Sequence, residues 1–280
     1  MLRPVIASVC FVIPTFYRQS LSDTEYAPLL APNANSCTAS KVDKFKAALA
    51  AVRRHEDEIR QRWMRDEDGW RKLPARAWPE YQPPPSEIPH LRQVVASKCV
   101  EPLTVECQNA KFDLATAFVF NHLQSTEGIE LYHSLAKEEY PDGLTALAVC
   151  YLEGLGVSQD AATGVKWLQR AVERQSLQAH YELGGLYYYG AAAPIIEEND
   201  ASAFKYFEYT SQKQHTSGLY MTADMLLAGQ GCEVDAAKAV ELLYTAGERG
   251  HRLARTTLLR LLRDEERIIR QLEAVETDSS

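Results

Sequence analysis

The residues of this 280-residue chain with the most chemical potential are six cysteines, seven histidines and one short acidic run. None is spaced to assemble a reactive site. The cysteines stand at 10, 37, 99, 107, 150 and 232 with no CxxC pair, so the spacing of a zinc knuckle or dithiol redox centre is missing. Cys99 and Cys107 are the nearest pair and could be bridged; the preferred reading is reduced thiols, partly buried as small hydrophobes. The histidines at 55, 90, 122, 133, 180, 215 and 251 are scattered, and His180, beside Tyr181 on a helix, reads as a hydrogen-bonded packing residue. The run Asp66-Glu67-Asp68-Gly69 lacks the alternating ligands and closing Glu of a calcium loop. Gly154-Leu155-Gly156 has the composition of a phosphate loop but follows a helix rather than a strand, and it recurs as a turn. The fingerprints of zinc proteases, serine hydrolases, P-loops and dinucleotide folds do not occur. No catalytic residue, cofactor or metal ligand is therefore assigned, and the chain is expected not to be an enzyme.

Charge narrows the partners. A formal net charge of −8 and a pI near 5.5, without a basic stripe, argue against a nucleic-acid binder, which needs clustered Lys and Arg for phosphates. The 46% apolar content is enough for one or two packed domains. Near the start, the apolar run from Pro4 to Pro14 is too short for a bilayer, which needs about 20 such residues, so no membrane span is expected. Arg3 and Arg18 with no acid before Asp23 leave three readings of residues 1–39: a mitochondrial presequence, a flexible cytoplasmic start, or a secretory signal or membrane anchor. Mitochondrial residence leads and cytoplasmic residence is the alternative.

Residues 40–73 read as one long amphipathic helix opened by Ser40 as its cap, with Val42, Phe45, Leu49, Val52, Ile59, Trp63 and Trp70 forming a single apolar seam. Its other faces carry charge, so the seam must dock, either on this chain or on a partner. Seven prolines between Pro74 and Pro102, among them Pro83, Pro84 and Pro85, predict an extended strap over residues 74–105, anchored by Trp78 and Tyr81.

Beyond residue 105 the chain becomes periodic. Small residues at Gly143, Ala179 and Gly218 lie 36 and 39 positions apart, and 11 residues after each stands a glycine: Gly154, Gly190 and Gly229. Gly156 and Gly231 add a second turn glycine in two of the units. An acid follows, Asp160, Asp200 or Asp235, positioned to cap a second helix, and seven residues later a large apolar side chain: Trp167, Phe207 or Leu242. The middle unit carries a longer loop, with Ala191 and Ala192 in place of the expected Gly and Val. A degenerate fourth unit precedes these, its first helix near Phe112 to Leu123 and its second around Gly128 to Leu135. From Leu253 to about Leu272 the pattern is that of a terminal capping helix, before a disordered tail to 280.

These landmarks resemble the Sel-1-like repeat, a relative of the tetratricopeptide repeat, over roughly residues 110–255. The resemblance implies an all-α fold: a right-handed α-solenoid of antiparallel helix pairs over residues 106–252. It further implies a non-catalytic scaffold or adaptor holding a peptide or helix of another protein on the solenoid groove; known members include mitochondrial assembly factors. Tyr187, Tyr188 and Tyr209 on the repeats, with Phe45 and Trp63 on the long helix, are the candidate protein contacts. The competing reading is a permanent subunit of a larger complex, anchored through helix 40–73 and the strap. What covers Phe45, Leu49, Val52, Ile59 and Trp63 separates the two, because a bare seam of that size marks an interface.

Overall fold

The computed structural model describes residues 39–66, 83–99, 104–121 and 125–278. Among these, regular structure is helical, apart from one isolated bridge pairing Ala192 with Ile196. The helices fall into two compact units, one drawing on residues 83–198 and the other on residues 39–66 and 199–278. The boundary crosses the middle repeat between its two helices.

The first unit opens with a single 3-10 turn at Pro85–Glu87 and then runs through α3 (Ile88–Lys98), α4 (Val105–Phe120), α5 (Ser125–Lys137), α6 (Pro141–Glu153), α7 (Ala161–Glu173) and α8 (Leu177–Tyr189). The expectation of an extended strap is corrected here: residues 88–98 are helical. Pro85 and Pro89 stand in first turns, where the missing N–H costs nothing. The apolar residues Ile88, Leu91 and Val95 recur at helical spacing and pack on Leu114, Phe118 and Leu131. Cys99 and Cys107 are joined in a disulfide, which overturns the preferred reading of free thiols and ties the end of α3 to the start of α4. Trp78 and Tyr81 lie outside the described residues, as do residues 1–38 and Trp70.

The degenerate unit is the pair α4 and α5, where the buried hydroxyls of Thr116 and Tyr132 meet at 2.8 Å. In the next pair, α6 is nearly apolar on every side, with Gly143 to Cys150 all buried, whereas α7 is amphipathic and buries Val165, Leu168 and Ala171. A helix apolar all round must be covered on several sides, and this division of labour is what stacking requires. Gly154, Gly190 and Gly229 all adopt the left-handed conformation at the end of a first helix, letting the chain reverse at once.

The second unit contains α1 (Ala39–Arg53), α2 (Glu56–Asp66), α9 (Asp200–Gln212), α10 (Thr216–Ala228), α11 (Ala236–Glu248) and α12 (Arg252–Asp278). The single helix expected over 40–73 is two helices broken at Arg54 and His55, and Ser40 lies inside α1 rather than capping it. The break separates Val52 from Ile59 and lets both halves of the seam turn inward. Val42, Phe45, Leu49, Val52, Ile59 and Trp63 are all buried, with α1 lying on α11 and α12. At the other end α12 reaches Asp278, so the expected disordered tail is helical up to that residue. Leu258, Leu261 and Leu262 are buried as expected of a terminal helix.

One cap is shifted by a residue. The segments between the two helices of a repeat are 154–160, 190–199 and 229–235, and the longer middle one places Asn199, not Asp200, at the N-cap. Asn199 Oδ1 accepts from Ser202 N at 2.8 Å, as Asp160 and Asp235 accept from Thr163 N and Lys238 N in their own repeats.

Candidate protein-binding site

Of the five residues expected to contact a partner, the structure takes two away. Phe45 is 1% exposed, within the seam that α1 lays on α11 and α12. Trp63 is 5% exposed: its ring lies against Gly247, Arg255 stacks over it at 5.1 Å, and its indole Nε1 donates to Glu248 Oε1 at 2.9 Å. Both are intramolecular contacts, so their reading as protein-binding residues is corrected.

Tyr187 and Tyr188 remain half-buried on α8, and Tyr209 is half-buried on α9. Tyr188 meets Tyr189 edge to face with centroids 4.6 Å apart, which leaves a rigid aromatic corner at the end of α8. The repeat landmarks serve packing. Phe207 is 1% exposed, and Trp167 is half-buried beneath Arg170, with His133 edge-on to its ring.

Two carboxyls on α6 and α8 are not marked by the repeat pattern. Glu182 on α8 is 3% exposed, and its Oε1 accepts from Gln178 Nε2 at 2.7 Å. Burial, opposed by that hydrogen bond and reinforced by the charge of Glu153, pushes the Glu182 carboxyl up to about 7. Glu153, at the end of α6, is pushed up to about 7 by burial. A signal for Glu182 was present: it occupies the register held by Ala146 in the preceding repeat and Met221 in the following one. Gln178, Glu182 and Tyr189 stand at i, i+4 and i+11, so they share one face of α8, and Glu153 holds on α6 the register that Tyr189 holds on α8.

The remaining reactive side chains are quiet. Burial pushes the Cys150 thiol up to about 12 and the Cys232 thiol up to about 11, so neither is a thiolate at neutral pH. His180 Nδ1 lies 2.7 Å from Ser176 O, inside its own helix. Among the described residues no group of three His, Cys, Asp or Glu is placed to hold a metal ion, and no helix is long and apolar enough to cross a membrane.

Antiparallel helix pairs repeated with a left-handed glycine after each first helix define an α-solenoid of the tetratricopeptide-like class. Residues 141–176, 177–215 and 216–251 each match the Sel1 repeat, so that stretch of the chain is built of three Sel1 repeats. The fold is shared with a Sel1 repeat protein of Oxalobacter formigenes, with a TM-score of 0.50 at 19% identity over 60% of this chain and 70% of that one. It is also shared with a protective antigen of uropathogenic Escherichia coli, with a TM-score of 0.50 at 18% identity over 70% and 46%. In sequence the chain is 28% identical over 160 residues to an exopolysaccharide production negative regulator of Rhizobium leguminosarum, covering 53% of this chain and 60% of that protein. It is 27% identical over 139 residues to an uncharacterised protein of Neisseria meningitidis, covering 49% and 28%. The chain thus spans less than two thirds of either curated relative. Sel1 repeats form a non-catalytic fold that generally mediates protein–protein interaction, and this chain has the framework of such a scaffold.

Proposed function

We propose that the chain is an adaptor that holds a segment of a partner protein against the first helices of its repeats, α6 and α8. The observation that carries this reading is the composition of one face of α8, where the Gln178–Glu182 pair and Tyr189 line up beside the Glu153 carboxyl. A packing surface has no use for two neighbouring carboxyls that burial makes hard to ionise. A partner that brings a lysine, an arginine or a chain of amide donors gives the half-buried Glu153 a use, and the Tyr188–Tyr189 corner supplies flat, rigid contact area at small entropic cost. The name of the Rhizobium relative, a negative regulator, fits a chain that acts by binding rather than by chemistry.

The test is affinity purification of the wild type beside Glu153→Gln and Tyr188→Ala, with Trp63→Phe as a control away from α6 and α8. A stoichiometric partner retained by wild type and Trp63→Phe but lost from Glu153→Gln and Tyr188→Ala supports the reading. Equal recovery on all four baits sinks it.

Burial of the seam favours a self-contained adaptor over a permanent subunit anchored through residues 40–73, because α1 and α2 already have a surface in their own chain. For location the proposal is mitochondrial, as an assembly factor, resting on Arg3, Arg18 and the acid-free stretch up to Asp23; cytoplasmic residence is the alternative. Proximity labelling with N-terminal sequencing of the mature chain decides: matrix or intermembrane-space neighbours with about 20 residues removed support import, and cytosolic neighbours with Met1 or Leu2 retained reject it.

A further inference from the structure

The N-cap of each first helix in the repeats falls at one register position: Tyr140 for α6, Ser176 for α8, His215 for α10 and His251 for α12. In the first unit that position does not titrate near neutrality. Ser176 Oγ accepts from Ala179 N at 3.2 Å, and Tyr140 makes no side-chain cap at all. In the second unit both caps are imidazoles. His215 Nδ1 accepts from Gly218 N at 3.2 Å and His251 Nδ1 from Ala254 N at 3.1 Å.

A histidine can cap in this way only with a bare Nδ1. Protonation converts the acceptor into a donor aimed at another donor, and it puts a positive charge on the positive end of a helix. Both rings are partly buried, and Tyr220 stacks on His251 at 4.7 Å. We propose that His215 and His251 are acid-labile caps, so that the unit of residues 39–66 and 199–278 opens at mildly acidic pH while the unit of residues 83–198 stays closed.

Several ionisable groups stand close to these two caps in sequence. Lys213 follows α9, Tyr220 lies on α10, Glu248 ends α11 with Arg249 just after it, and Arg252 and Arg255 lie in the first turn of α12. Glu248 accepts from Trp63, Arg249 donates to Gln214 O at 3.1 Å, and Arg255 donates to Gly247 O at 2.7 Å. From α2 the turn at Gly247 receives the uncharged indole of Trp63. Burial pushes His215 down to about 4, and burial together with the charge of His215 pushes His251 down to about 4. The first unit responds with the opposite sign, because Glu153 and Glu182, pushed up to about 7, take up protons more readily in the fold than in the open chain. Loosening α12 also reaches the seam, since α1 packs on it and Trp63 lies beside Arg255.

Hydrogen exchange by mass spectrometry on the full chain at pH 7.5 and pH 5.0, corrected for intrinsic exchange rates, tests this. The expected result is an increase of about tenfold or more in opening of α10 and α12 at pH 5.0, with no increase in α6 and α8. His215→Asn with His251→Asn keeps a capping acceptor that does not titrate in this range, and it should flatten the response of α10 and α12. The inference is overturned if wild-type α10 and α12 open equally at both pH values, or if the double asparagine variant keeps the full acid response. The wild-type comparison stands on its own even if the variant folds poorly.

Discussion

The indole of Trp63 and the carboxylate of Glu248 are joined by a hydrogen bond of 2.9 Å across 185 residues of sequence. Through it the helix pair that precedes the repeats is fastened to the last repeat, with Gly247 making room for the ring and Arg255 stacked over it. A Cβ at position 247 would stand 2.8 Å from Trp63 Cζ2, so a side chain there would push the ring from its seat. Trp63→Ala should therefore destabilise the second unit by about 3–5 kcal/mol, mostly through the cavity. Trp63→Phe, which keeps part of the ring and loses the hydrogen bond, should cost about 1–2 kcal/mol. Urea denaturation of the two variants separates packing from polar fastening, and equal losses would mean that the hydrogen bond does the fastening.

The carboxyl of Glu182 gives a pH signature with a definite sign. Its folded pKa, near 7, lies above the ordinary glutamate value, so the fold is favoured while the group is protonated. That stability is fully present below about pH 4.5 and is lost as the pH rises through 7, a difference of about 3 kcal/mol. Glu182→Gln keeps an acceptor for Gln178 without the charge. It should raise the melting temperature at pH 8 and leave it almost unchanged at pH 4.5, as differential scanning calorimetry would record. A lower melting temperature at pH 8 would mean that the carboxylate is compensated by a cation.

Much of this architecture was legible because the repeat writes the same physical demand several times. Gly154, Gly190 and Gly229 mark the end of a first helix because only glycine takes the left-handed cap without strain, and their common spacing gave the register of all three pairs. Phe45, Leu49, Ile59 and Trp63 were legible as a seam, but spacing alone does not say which surface a seam meets, and α1 lies on helices encoded some 200 residues later. The prolines misled for a physical reason: Pro85 and Pro89 fall in first turns, the one place where a helix accepts them, and a count of prolines does not register position. The site was the least legible part. Tyr187, Tyr188 and Tyr209 stand out in the sequence as aromatics, whereas Glu182 stands out only against Ala146 and Met221 at the same register of the neighbouring repeats.

The capping shift in the middle repeat can be checked by two neighbouring substitutions. Asn199→Ala removes the side chain that accepts from Ser202 N and should cost about 1 kcal/mol. Asp200→Ala, at the first helical position, should cost only a few tenths through the helix dipole. Circular dichroism melts at low ionic strength resolve the two. If Asp200→Ala proved the costlier change, the cap would sit where the periodicity first put it.

Two glycines with the same sign of φ should respond quite differently to alanine. Gly231 has φ of +64°, and a Cβ built there would stand 2.3 Å from Asp200 O, a backbone atom that cannot swing aside. Gly250 has φ of +92° and nothing within 4 Å of the same hypothetical atom. Backbone strain is therefore common to both, at about 1–2 kcal/mol, while Gly231→Ala adds a steric clash that only separation of α9 from the 229–235 turn can relieve. Gly250→Ala should lower stability by about 1 kcal/mol and leave the fold intact. Gly231→Ala should cost about 3 kcal/mol or more and raise hydrogen exchange in α9 and α10 before α12. Equal losses at the two sites would show that the turn yields freely, and the close approach of Gly231 to Asp200 would then contribute nothing to holding the repeats in contact.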